Sequence, residues 1–121
     1  MIQKGFSLLE MMIVITLMAI LSSVAYAGFR ATLSRAQRID AQQSLFSVAV
    51  TLEGCYQGLR DYALCADKLG LMAGINSQQG YYQLQFMEGE QKGYVLHAKA
   101  QNASTQDWEL NSAGALKRVT D

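Results

Sequence analysis

The sequence predicts an α+β chain: a long N-terminal helix, half of it a transmembrane span and half amphipathic, packed on a three- or four-stranded antiparallel sheet. Three observations predict it. Residues 5–29 are apolar apart from one acid and a few hydroxyls, and residues 30–59 repeat apolar side chains every three to five positions. After residue 80 the period falls to two, as in strands with one face on a core.

The first run is long enough to cross a bilayer. Between Met11 and Phe29 no residue is charged, and these nineteen residues reach roughly 28 Å at ~1.5 Å per residue, close to the ~30 Å hydrocarbon layer. Glu10 is the anomaly. An ionised carboxylate in a lipid-facing helix costs at least ~2.5 kcal/mol away from the interface, so it calls for a partner of opposite charge. A secretory signal peptide is a rival reading, with Lys4 as its positive region and Ala25-Tyr26-Ala27 as a small-x-small cleavage site before Gly28. The acid inside the apolar run and the helical pattern continuing past Gly28 oppose it. A mature chain beginning at Gly28 would mark the signal peptide, and one beginning at Met1 a plain anchor or an unprocessed precursor.

The stretch K-G-F-S-L-L-E-M-M-I-V-I-T-L-M-A-I-L resembles the processing site and assembly helix of type IV pilins and type II secretion pseudopilins. The resemblance implies a pilin fold and a cut by a prepilin peptidase between Gly5 and Phe6 at the cytoplasmic face. It further implies N-methylation of the new Phe6 amino group, and pairing of Glu10 with the Phe6 amino terminus of a neighbouring subunit. Residues 1–5 are then a leader, 6–29 a transmembrane and assembly helix, and 30–121 a periplasmic head that includes the amphipathic half of the helix. The implied partners are other pilin subunits, the prepilin peptidase, the inner-membrane pilus assembly machinery, and the inner membrane before the subunit joins a fibre in the periplasm and at the cell surface. A count of positive charges alone would orient the span the other way, since only Lys4 precedes it and Arg30, Arg35 and Arg38 follow; the peptidase's position sets the topology instead. Relatives commonly place a proline next to the position of Ala27. This chain has no proline, and Gly28 supplies flexibility there, while Ser22 and Ser23 are placed to return hydrogen bonds to the preceding turn.

Beyond the span, Leu33, Ala36, Ala41, Leu45, Val48 or Ala49, Leu52, Tyr56 and Leu59 mark a face that packs on the head. Arg35, Arg38 and Asp40 read as solvated or subunit-facing skin, with Gln42, Gln43 and Glu53 mainly off the packed face. R-A-Q-R-I-D-A-Q-Q-S-L continues the resemblance. Residues 57–79 are glycine-rich and read as a connection, with a short helix around 63–71. Cys55 and Cys65 are ten residues apart, and outside the cytoplasm the expectation is a disulfide stapling the helix end to this connection. A free or intermolecular pairing is the alternative; zinc is unsupported without further cysteines or a close histidine.

Tyr82, Leu84 and Phe86 share one strand face, a polar turn follows at 88–93, and Tyr94, Leu96, Ala98 and Ala100 share the face of the returning strand. Trp108 and Leu110 point inward from a short third strand at 107–110, and 115–119 forms the last. G-Y-Y-Q-L and W-E-L-N-S-A-G-A-L-K resemble small type IVa minor pilins.

Chemistry is scarce. His97 is the one histidine, read as a surface or edge side chain, and Gly70-x-x-x-Gly74 lacks the Gly-Lys of a phosphate loop. Asn102-Ala103-Ser104 matches a glycosylation acceptor only in form. The chain reads as a component and not an enzyme, with no cofactor and no metal. The resemblance implies a structural subunit of a type IV pilus, a minor pilin incorporated into or priming the fibre and supporting motility, adhesion or DNA uptake. A type II secretion pseudopilin is one alternative. A DNA-binding competence pilin is another, with Arg30, Arg35, Arg38, Lys92, Lys99, Lys117 and Arg118 as candidate phosphate contacts. Ten basic and ten acidic side chains leave no strong net field to draw DNA.

Overall fold

A computed structural model describes residues 4–102 and 105–119. The chain divides into two units, Met1–Arg35 and Ala36–Asp121, and helix α1, Leu8–Leu59, contributes to both.

In the first unit the helix begins at a cap. The Ser7 Oγ accepts the Glu10 N–H at 3.2 Å, and the Ser7 carbonyl accepts the Met11 N–H at 3.1 Å. Ser-Leu-Leu-Glu is thus the serine-to-glutamate spacing of a capping box, and residues 4–7 stay outside the helix. Residues 4–32 are exposed throughout, and the helix is long and apolar enough to cross a membrane. A helix apolar on every side suits a lipid environment. Thr16 and Ser23 donate to the Met12 and Ile20 carbonyls, each at 2.8 Å, so Ser23 makes the backward bond expected of it.

The second unit is the head. Its sheet has five antiparallel strands in the order β1-β2-β3-β4-β5: β1 Ile75–Asn76, β2 Tyr82–Glu88, β3 Tyr94–Ala100, β4 Trp108–Asn111 and β5 Leu116–Arg118. Each strand pairs with its neighbour in sequence, with Leu84 opposite Ala98, Leu96 opposite Leu110, and Trp108 opposite Arg118. This register places the alternating apolar residues of all the long strands on one face, where Tyr82, Leu84, Leu96, Ala98 and Leu110 are buried. Against that face α1 sets Ala41, Leu45 and Leu52, each fully buried. Burying a leucine in this way contributes roughly 1.5–3 kcal/mol.

The α+β architecture agrees with the expectation, and the sheet has one edge strand more. β1 has two residues and lies in the stretch read as connection. The short helix is α2, Tyr62–Lys68, capped by Asp61, whose Oδ1 accepts the N–H groups of Ala63 at 2.9 Å and Leu64 at 3.3 Å. Cys55 and Cys65 are joined in a disulfide with Cα atoms 5.9 Å apart, so the end of α1 is tied to α2.

Two helix residues differ from their reading as exposed or off-face groups. Asp40 is buried, 3% exposed. It accepts hydrogen bonds from the Ser77 hydroxyl and, at 3.0 Å, from the Gln79 N–H, while the Ser44 Oγ accepts the Gln78 N–H at 3.2 Å. A buried carboxylate is tolerable only when its oxygens are satisfied in this way. Together they clamp the turn that enters β2, where Gly80 takes a φ of +81° that an L side chain would resist. Glu53 is half-buried and receives the hydroxyls of Tyr62 at 3.1 Å and Tyr94 at 3.3 Å.

Candidate functional site

The basic side chains do not form one patch, but two of them meet on an aromatic ring. Trp108 is 8% exposed and lies in β4 on the core face. Arg38, from α1, and Arg118, from β5, each place the guanidinium carbon 5.4 Å from the Trp108 ring centroid, within cation–π reach of ~6 Å. Helical spacing brings Arg38 there because Asp40 and Ala41, just beyond it, are drawn into the core. Arg118 arrives by register, since it is the direct cross-strand partner of Trp108. The two guanidinium groups are exposed at the residue level, cannot be farther apart than twice 5.4 Å, and make no ion pair among the described residues. The Trp108 ring thus gathers two cations from separate elements at one exposed spot on the head.

The other candidates are spread out. Lys99 is exposed one residue beyond Ala98, the partner of Trp108, and Lys117 lies opposite Glu109 in the register of β4 and β5. Arg30 donates to the Tyr26 hydroxyl at 3.1 Å within the first unit, and Arg35 is exposed there. The Lys92 side chain and the Ala103-Ser104 part of the glycosylation-like triplet lie outside the described residues. His97, read as a surface side chain, is half-buried, with its Nε2 3.5 Å from Asp107 Oδ2. The Asp107 Oδ1 accepts the Ala100 N–H at 2.8 Å, so this contact braces the start of β4 next to Trp108. Among the described residues no group of three or more His, Cys, Asp or Glu is placed to hold a metal ion.

At the chain start, Gly5 and Phe6 are exposed and non-helical, and Glu10 is exposed in the first turn of α1. A carboxylate in that turn is favoured by the partial positive charge of the helix start. The sequence reading missed the pairing of Arg38 with Trp108, because no local pattern links a helix residue to a distant strand. It also missed Asp40, although a signal was present: Asp40, Ala41, Ser44, Leu45, Val48, Ala49 and Leu52 recur at helical i, i+1, i+4 spacing, which places Asp40 on the packed arc.

At the opposite end of the head, burial and Glu53 push the Tyr94 hydroxyl up to about 12, burial being the larger cause. Burial, then hydrogen bonding to Glu53, raises Tyr62 as well. Both phenols therefore remain protonated donors well into alkaline pH.

Two family models match the chain. The one described as type IV minor pilin ComP, DNA uptake sequence receptor, covers residues 27–108, and the prokaryotic N-terminal methylation motif covers residues 1–26. No curated protein and no solved structure matches it.

Proposed function

This chain belongs to the family of the type IV minor pilin ComP, and we propose that it serves as a DNA-binding minor subunit of a type IV pilus, with Arg38 and Arg118 as central phosphate contacts. The observation that carries the DNA reading is the pair of guanidinium groups held on Trp108 without acidic partners among the described residues. Arginine is suited to this task because its planar fork of donors can bind a phosphate through two hydrogen bonds. Because the guanidinium groups are pre-positioned on a ring that is itself part of the core, less side-chain entropy is lost on binding. Lys99 and Lys117 alternate onto the other face of the sheet, Lys117 opposite Glu109, and take no part in this contact. The near-buried ring itself offers little surface for stacking a base.

Fluorescence anisotropy of a labelled DNA duplex with the full chain in nanodiscs tests this reading. Arg38→Ala and Arg118→Ala should each weaken binding and lower the slope of log K against log salt by about 1, whereas Lys68→Ala, on α2, should leave both unchanged. Equal affinity and slope in all four proteins would sink the DNA reading.

The subunit role stands on the family itself: the protein is a pilus minor pilin that associates with other pilin subunits and the pilus machinery. Its finer course is part of the proposal. Residues 1–5 are a leader removed by a prepilin peptidase between Gly5 and Phe6, and Phe6 is then N-methylated. Residues 6–29 hold the subunit in the inner membrane before it enters the fibre, and 30–121 form the periplasmic head. Glu10 pairs with the Phe6 amino terminus of a neighbour. The capped start of α1 supports this course, because it leaves the proposed cut in non-helical chain and Glu10 in the first turn. The match over 27–108 is to a pilus subunit, which favours the pilus over a secretion pseudopilin.

A further inference from the structure

The end of the head away from Arg38 carries a second site. Arg38 and Tyr56 are eighteen residues apart on α1, which corresponds to roughly 27 Å of helix. There a cavity of about 400 Å³ is lined by Tyr56, Arg60, Asp61, Tyr62, Phe86 and Glu88 among others, within the ~300–1,000 Å³ usual for small-molecule pockets.

Its walls are built and held. The disulfide between Cys55 and Cys65 closes the loop that contributes Tyr56, Arg60, Asp61 and Tyr62, and Arg60 takes a φ of 57° in that loop. Tyr56 and Tyr62 stack with ring centroids 4.1 Å apart, and Tyr94 meets Tyr62 edge-on at 4.8 Å. Glu53 fixes this cluster from behind by accepting the hydroxyls of Tyr62 and Tyr94. The strand β2 supplies Phe86 and then Glu88. By alternation Glu88 occupies the face that carries Tyr82, Leu84 and Phe86, yet it is exposed, so a carboxylate stands where the register otherwise places core.

The charges around the cavity are mixed; Asp61 caps α2 through Oδ1 and keeps Oδ2 without a partner among the described residues. Arg60 lies 6.0 Å from the Tyr56 centroid, and among the described residues neither Arg60, Asp61 nor Glu88 makes an ion pair with another. The Tyr56 hydroxyl has no hydrogen-bond partner among them either. An anion would meet two carboxylates here, and a cation would meet the guanidinium. A neutral ligand rich in hydroxyls satisfies all of them: hydroxyls accept from Arg60, donate to Asp61 and Glu88, and do either with Tyr56. Tyr56 and Tyr62, both half-buried, add ring carbon to the lining, apolar surface against which the C–H groups of such a ligand can pack. We propose that this cavity binds a neutral saccharide of one or two pyranose rings. The proposal is independent of DNA binding at Arg38 and Arg118.

The test is a titration of the full-length, ¹⁵N-labelled protein in nanodiscs prepared without glycosidic detergent, using lactose, cellobiose and diacetylchitobiose as probes. At least one should produce saturable shifts in the amides of residues 56–63 and 86–93, with a Kd on the order of millimolar. Glu88→Ala removes only an exposed carboxylate and should weaken that binding by about tenfold, with Lys68→Ala as the unchanged control. Absence of saturable shifts with all three sugars would overturn the proposal, as would sugar binding indifferent to Glu88→Ala. Selective shifts of the same amides by choline chloride, inorganic phosphate or thymidine, but not by the sugars, would also overturn it and mark an ionic or nucleobase site.

Discussion

Asp40 is a charge on the packed face of a helix, kept there by the turn it holds. Its oxygens receive the Ser77 hydroxyl and the Gln79 N–H, and the Ser77 Oγ accepts the Tyr82 N–H at 3.1 Å. One carboxylate thus orders the route into β2. Hydrogen bonds to a charged group contribute ~1.5–3 kcal/mol each, so Asp40→Ala should destabilise the head by about 2–3 kcal/mol after relaxation. Thermal unfolding read by near-ultraviolet circular dichroism measures this, and a melting temperature within about 2 °C of the parent would contradict it, given ~4–8 °C per kcal/mol for a domain of this size. Residues of this kind explain what the sequence conceals. Trp108 is recognisable as core from its two-residue period, because strand alternation is local. That Arg38 and Arg118 lie on its ring is not, because it depends on how α1 crosses the sheet. Asp40 looks like surface by composition, and only its helical phase betrays its burial.

Among the elements, the long ones are the legible ones. α1 and the strands β2 and β3 carry enough repeats for their period to stand out, and the hairpin between them is marked by Gly89 and Gly93. β1 has two residues and no period to read; it exists because Ile75 and Asn76 pair with Leu84 and Gln83, a tertiary event. The cysteine spacing left intermolecular pairing open, and the structure closes the bond within the chain. That bond anchors α2, a helix of seven residues, which is too short to persist alone. Replacing Cys55 and Cys65 together with alanine should cost ~2–3 kcal/mol by the loop-entropy account. The expected result in urea is a lower unfolding midpoint, with a slope no shallower than the parent's because the unfolded chain loses its cross-link, together with loss of the ring-current shifts of Tyr62; a midpoint equal to that of the parent would show that packing alone fixes α2.

On the scale of the whole chain, two chemistries meet in one polypeptide: an oily start that needs lipid or sister helices, and a water-facing head with its own core. The resemblance at the N-terminus leads to a definite expectation. Mass spectrometry of protein recovered from fibres should find a chain beginning at N-methylated Phe6. Glu10→Ala should still insert in the membrane but enter fibres at reduced yield when it is the sole copy; undiminished incorporation would remove the role given to Glu10. The sheet adds something else. Its order along the molecule is its order along the chain, so each strand needs only the preceding one to begin pairing, and the bridged cysteines are ten residues apart. Short-range pairings of this kind form quickly. A head built this way can organise hairpin by hairpin as the chain lengthens, behind an apolar tether that is already complete.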